Sequence, residues 1–498
     1  MQTKNVVLIH GWSADSQSME KLAAYLATEG YNAIEISLGD YQSLYDDVLV
    51  EDVAIRMESV MSGRQDLMDE GFHLIVHSTG ALVARQWIAN RFERGEKTPV
   101  ENFLMLAPAN HGSPVATLGR SALGRIAKFS FKRGFQSGTE MLHALELGSD
   151  FQEQLDLRDR LSTDGQTDSP YAVGAIRPYV MVGAQPMDSA SILNQNGWDG
   201  TVRIAGSNFD PRGVTLKFSD DPKQPEVTGW TVRGRKKSAF AVLPDRSHIS
   251  ILDPDPKASL SDDPPTARLV RELVLQAISV NSEAEYDLVM DRFDGVTALS
   301  KSLAHNSEEG KQLREKILRK RGDRIAERYN QFYQIVVDVS DDVKRNVGDY
   351  FVWLSAPTQS ESAHGLKLTG ELSAAEIMAH RDVLRHVHVN RRNSERRVLH
   401  MDRYKLLGRD GFFNELDYRR EKLLVAGITA MAPGDMISYF EKGADASMGY
   451  VTLRAQEPGE SYASDDRFLK HYATHYIRVI IPRAADDSVF RLERFSDR

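Results

Sequence analysis

Within the first 110 residues four short apolar runs, at 6–9, 33–36, 74–76 and 103–106, alternate with helical patterns near 17–29, 45–66 and 80–92. A strand that is apolar throughout is covered on both faces, and a helix between two strands returns the chain so that they run parallel. This rhythm predicts βαβ units and a doubly wound, mostly parallel sheet. Runs at 178–183 and 239–243 extend it. Residues 266–280 then set Leu269, Val270, Leu273, Val274, Ala277 and Ile278 at helical spacing, which suits a closing helix. Residues 114–170 carry no strand pattern and are expected to form a cap or lid inserted between two strands.

The second half has another character. Residues 284–330 are charged and helix-prone, and 311–328 hold eight Lys/Arg against three acids, the pattern of a solvated helix face. Short strands are predicted at 332–339, 350–354, 383–389, 398–401, 424–431, 450–453, 475–481 and 489–492, which together suggest an all-β, sandwich-like domain. Residues 213–232 read as a β-hairpin excursion. The expected organisation is an α/β domain over 1–283 with its cap at 114–170, a charged helical connector over 284–330, and a β-rich accessory domain over 331–498.

A net charge of −9 argues against nucleic acid as the main partner. The absence of cysteine excludes disulfides, thiol catalysis and zinc–thiolate sites. The first apolar run, four residues long, falls short of the roughly 7–15 that a signal peptide needs, and no stretch approaches the ~20 of a membrane span. A soluble chain, cytoplasmic by default, is expected, with delivery or export by a route that needs no signal peptide left open.

Phe72-His-Leu-Ile-Val-His-Ser78-Thr-Gly80 reads as a buried strand, a tight turn at Ser78 and a helix start. Such a turn lifts a hydroxyl above the sheet edge and places it at a helix N-terminus, where negative charge is stabilised. The plainer reading makes Ser78 only an N-cap. His10-Gly11-Trp12 follows the first strand, where ligands of a doubly wound sheet bind. The amides of Trp12 and Thr79 are the expected oxyanion donors. His248 lies in the loop after the last strand and before the closing helix, the place for a base; His73 and His143 fit less well. Asp199, on the Gly197-Trp-Asp-Gly-Thr-Val202 turn, stands between Ser78 and His248 in chain order. Asp-Gly is also a common plain turn, and Asp210 or Asp245 could serve instead. His10, Gly11 and His77 are candidates for shaping the substrate site, and His111 lies near it.

These segments resemble the α/β-hydrolase superfamily, and within it bacterial lipases and lipase-like inositol deacylases, over roughly residues 5–280. The likeness rests on Val7-Leu-Ile-His10-Gly11-Trp12, Val76-His-Ser78-Thr-Gly80, Leu106-Ala-Pro-Ala-Asn-His-Gly-Ser113, Leu145-Glu-Leu-Gly-Ser149, Trp198-Asp199-Gly200-Thr-Val202 and Arg246-Ser-His248. It implies Ser78 as nucleophile, Asp199 as acid, His248 as base, and Trp12 and Thr79 as oxyanion amides. The departure is Val76, where the family pattern has glycine.

Between Ser113 and Ser137 five basic residues (Arg120, Arg125, Lys128, Lys132, Arg133) and no acid interleave with Leu118, Leu123, Ile126, Phe129, Phe131 and Phe135. A basic amphipathic surface can lie on anionic lipid, so Phe129 and Phe131 are lid candidates and peripheral membrane contact is possible; an ordinary packed cap fits equally. The reading is a serine carboxylic ester hydrolase of lipase or phospholipase type, acting on an ester or lipid. Its alternatives are an inactive hydrolase-fold scaffold and an acyltransferase using the same acyl-enzyme. No cofactor and no metal is expected: His386 and His388 share a strand face, but no carboxylate stands at a ligand spacing. The partner of the β-rich domain has no sequence signature.

Overall fold

A computed structural model describes residues 4–11, 19–36, 47–118, 139–186, 195–219, 225–254, 266, 268–304, 308–318, 323–355, 383–403, 423–430, 436–439, 448–454, 468–485 and 489. The chain divides into two compact units. The first holds residues 1–211, 231–332 and 472–474; the second holds 212–230, 333–471 and 475–498.

The first unit follows the predicted rhythm. Strand β1 (Asn5–Ile9), helix α1 (Glu20–Thr28), β2 (Asn32–Ile36), α2 (Val50–Ser62), α3 (Gln65–Glu70), β3 (Phe72–His77), α4 (Gly80–Glu93) and β4 (Val100–Leu106) come in that order. The two-residue β5 (Leu161–Ser162) lies inside the stretch expected as a strand-free cap; β6 (Arg177–Gly183) follows it, and later come β9 (Thr231–Val232) and β10 (Ala239–Leu243). The six-stranded sheet has the order β10-β6-β4-β3-β1-β2, and each neighbouring pair is parallel. Every residue of β3 is buried, His73 and His77 included, as a central strand between two parallel neighbours requires. Its register sets Val76 against Ile9 on one side and Met105 on the other.

The free edge of β10 is closed by a helix. Helix Glu283–Ser302 buries Tyr286, Phe293 and Val296 in the core of the first unit. Thr297 Oγ1 accepts from the Val242 N–H at 3.1 Å and donates to the Phe240 carbonyl at 2.8 Å, and Ser300 Oγ donates to the Val242 carbonyl. Tyr286 Oη accepts from the Ala239 N–H at 3.1 Å. An exposed strand edge invites pairing with another chain, and these hydroxyls remove the invitation. The segment expected as a connector is, at its start, an edge cover. Among the described residues no helix is long and apolar enough to cross a membrane.

The second unit is β-rich. Hairpin strands β7 (Arg212–Lys217) and β8 (Glu226–Gly229) pair antiparallel, as the excursion at 213–232 predicts. They join β11 (Phe332–Asp341), β13 (Leu384–Val389), β14 (Arg396–Asp402) and β18 (Thr474–Ile481) in a six-stranded sheet, β13-β14-β11-β18-β7-β8, in which β18 and β7 run parallel. A second sheet holds β12 (Tyr350–Ser355), β15 (Leu423–Ala430) and β17 (Met448–Arg454), and β16 (Ile437–Tyr439) pairs with β19 (Arg483–Ala485). Val214, Leu216, Tyr333, Ile335, Val337, Leu399, Ile477 and Val479 share one apolar cluster. The strand expected at 489–492 lies outside the described residues except for Val489.

His475 in β18 contributes to the pH dependence of this unit's stability. Its Nε2 accepts from the Lys470 N–H at 2.9 Å, its Nδ1–H donates to the Gln334 carbonyl at 3.3 Å, and Tyr333 and Phe468 pack edge-on against it. Burial lowers its pKa to about 3. A depressed folded-state pKa means that the unfolded chain binds the proton first. Stability is therefore complete above the ordinary histidine range and declines as pH falls toward 3. At pH 5 the cost is on the order of 2 kcal/mol. Urea unfolding at pH 7.5 and pH 5 should show that increment in the wild type and not in His475→Gln; equal pH sensitivity of the two proteins would contradict it.

Candidate active site

Ser78 follows β3 directly and takes φ 54°, the left-handed region that a non-glycine residue seldom enters. Such a conformation costs on the order of 1–3 kcal/mol and persists only where its surroundings enforce it. Here the Ser78 N–H donates to the Leu106 carbonyl at 3.0 Å, and its own carbonyl accepts from the Ala81 N–H at 3.2 Å. Two glycines make the turn possible. A Cβ on Gly80 would stand 2.9 Å from the His10 carbonyl oxygen, and one on Gly11 would stand 2.9 Å from Ser78 Cβ. Val76 is an ordinary buried strand residue, and the turn forms with it in place.

His248 lies in the turn after β10. Its Nε2 is 3.0 Å from Ser78 Oγ, and its Nδ1 is 2.9 Å from Asp199 Oδ2. Asp199 is fully buried on a turn where Gly200 adopts φ 102°. Its Oδ1 accepts from the Thr201 N–H at 2.9 Å and the Val202 N–H at 2.8 Å, so Oδ2 is left to face the imidazole. The Asp199 carbonyl also accepts from the His248 N–H at 3.0 Å. The other candidate acids are engaged elsewhere: Asp210 with Arg160 and Ser238, Asp245 with Arg246. His73 meets Asn102, and His143 stands 3.9 Å from Glu146.

Thr79 leads into the 14-residue helix α4, so its amide lies at a positive helix end beside Ser78. Trp12, Phe129 and Phe131 lie outside the described residues, as does most of the basic cap stretch. His10 Nδ1–H donates to the Gly11 carbonyl at 2.7 Å. His77 is buried; its Nε2–H donates to the main-chain carbonyl of His248 at 2.9 Å, and the two imidazoles lie 4.7 Å apart. Burial, with the rings of His248 and His10 beside it, pushes the His77 pKa well below the usual range.

A family model described as palmitoyl protein thioesterase matches residues 5–131. The structure of phospholipase PlaB from Legionella pneumophila superimposes with a TM-score of 0.74 at 22% identity, covering 99% of this chain and 97% of PlaB. The same phospholipase in complex with thio-NAD gives 0.70 at 21% identity, covering 98% and 96%. No curated protein sequence matches. The chain has the α/β-hydrolase fold.

Within this fold the helix behind Ser78 is tied to the helix Asp150–Asp159 by a buried ionic cluster that residue spacing scarcely announces. Arg85 of α4 reaches Asp159 through Nε at 3.0 Å and Nη2 at 2.8 Å, and Asp156 through Nη2 at 2.7 Å. His111 Nε2 is 3.0 Å from the second Asp156 oxygen. Burial pushes the Asp156 carboxyl up, but His111 and Arg85 together hold it at about 2. Burial outweighs Arg85 at Asp159, whose carboxyl ends above its usual value. Asp156 and Asp159, three apart on one helix face, were the only sequence hint. Arg85→Met leaves both carboxylates without their guanidinium, and a loss of about 3–5 kcal/mol is expected in urea unfolding. A loss under about 1 kcal/mol, the size of a surface ion pair, would contradict it.

Proposed function

We propose that this α/β-hydrolase is a serine carboxylic ester hydrolase, lipase or phospholipase in type, working through an acyl-enzyme on Ser78. The observation that carries the reading is the hydrogen-bonded series Ser78 Oγ, His248 Nε2, His248 Nδ1, Asp199 Oδ2, with the hydroxyl raised on a left-handed turn. His248 takes the Ser78 proton as Oγ attacks the ester carbonyl, while Asp199 stabilises the imidazolium. The negative oxygen of the tetrahedral intermediate meets the Thr79 amide and, by the same reading, that of Trp12; losing one such donor typically raises the barrier by roughly 2.7–4 kcal/mol. His248 returns the proton to the departing alcohol. It then activates the water that releases the acid and frees Ser78.

The names of the relatives support the proposed substrate class. PlaB is named a phospholipase and aligns along nearly its whole length, and the matched family model is named for palmitoyl thioesters. Cleavage of an acyl ester or thioester is common to both names, and a lipid ester is the substrate we propose. The five basic residues of 113–137 would favour anionic bilayers. The test offers phosphatidylglycerol vesicles, phosphatidylcholine vesicles and soluble short-chain esters, with and without an added alcohol acceptor, and measures free fatty acid. Fatty acid release from vesicles is expected, faster than turnover of the soluble esters. No release from any ester would contradict the reading, and acyl product appearing only on the alcohol would make the protein a transferase.

A further inference from the structure

We infer that His77 is a positioning residue, which fixes the base at bonding distance from the nucleophile by donating its Nε2–H to the main-chain carbonyl of His248. This rests on the ester hydrolase reading. His248 sits in a turn outside regular structure, so something must hold its backbone still. Its N–H is taken by the Asp199 carbonyl and its carbonyl by His77. His77 is peptide-bonded to Ser78. The tie therefore closes a ring of contacts through Ser78, His77 and His248, with Asp199 bonded to the same histidine from outside the ring.

The ring chemistry of His77 suits this and little else. A carbonyl only accepts, so Nε2 carries the hydrogen. Nδ1 is buried and has no hydrogen-bond partner among the described residues. The residue is only 2% exposed, which shields its ring from solvent. The titratable groups facing it are His248 and His10, and a positive charge on His77 would oppose the imidazolium that forms on His248 during turnover. A neutral donor is what the position requires. The fit of base to nucleophile is sensitive, since a misplacement near 1 Å can cost about 100-fold in rate.

Two variants and one wild-type measurement test this. His77→Phe keeps a planar ring and removes the donor; kcat should fall about 10–100-fold with KM changed less than about 3-fold. His77→Gln restores a neutral N–H of similar reach and should recover kcat to within about 5-fold, with the midpoint of the acid limb of kcat/KM where the wild type has it. A folded His77→Phe with wild-type kcat, a His77→Gln as slow as the phenylalanine variant, or a moved midpoint in His77→Gln would each overturn the assignment. Imidazole 15N NMR of the wild type, which needs no variant to fold, should show His77 protonated on Nε2 alone; a hydrogen on Nδ1 instead would overturn it. Ser78→Ala, run in parallel, separates the two ideas. If that variant keeps its turnover the hydrolase reading fails, whereas an inert Ser78→Ala beside a fully active His77→Phe removes only the role of His77.

Discussion

Ser78→Ala is expected to lower kcat for ester hydrolysis by about a million-fold, with the thermal unfolding midpoint unchanged. The magnitude follows from how the site is wired. The Ser78 hydroxyl is the group bonded to His248 Nε2, so its removal leaves the base without a nucleophile to activate. The hydroxyl of Ser113 is engaged elsewhere, donating to the Thr201 carbonyl at 2.6 Å. Residual turnover of roughly 10³–10⁴ over water should remain from substrate binding and the oxyanion donors. Initial rates of fatty acid release on purified variant and wild type make the comparison. Activity within about 10-fold of wild type would mean that another group performs the chemistry.

Asp199→Asn should cost about 10⁴ in kcat while the variant stays folded. The reason is a matter of donors and acceptors. Oδ1 of Asp199 accepts from two amides, Thr201 and Val202, and only an oxygen can stand there. Asparagine must therefore turn its NH₂ toward His248 Nδ1, where it donates. The imidazole is driven to the tautomer with hydrogen on Nε2, and that nitrogen can no longer receive the Ser78 proton. KM for a lipid ester should change little, because the buried carboxylate does not touch substrate. Equal kcat in the two proteins would show that Asp199 does not orient the base.

Much of the first unit was legible because its signals are local. Apolar runs flanked by helical spacing fix which residues are strand, and chain order then sets the turn at Ser78, the turn at Asp199 and the loop of His248 along one sheet. The structure brings Ser78, Asp199 and His248 together from those three places. What stayed hidden depends on contacts between distant residues. Charge and helix propensity at 284–330 suggested a connector, yet the hydroxyls of Thr297 and Ser300 and the ring of Tyr286 seal the β10 edge. The stretch 213–232 reads as a hairpin, but the parallel partner of its first strand, β18, lies more than two hundred residues later, beyond any local pattern. Strands β16 and β19, three residues each, are too short to show a period of two. Nothing near Arg85 in sequence points to Asp156 and Asp159, which bind it from about seventy residues away. His77 read as a residue of the substrate site, and nothing in its neighbours in sequence points to the carbonyl of His248.

The most direct test of an activated Ser78 is chemical. Folded wild-type protein is treated with a fluorophosphonate, digested and mapped by mass spectrometry, alongside His248→Ala. The expected result is one adduct, on Ser78, formed rapidly in the wild type and lost when the imidazole is removed. A folded wild-type protein with no adduct on Ser78, or with labelling that persists at the same rate without His248, would contradict it.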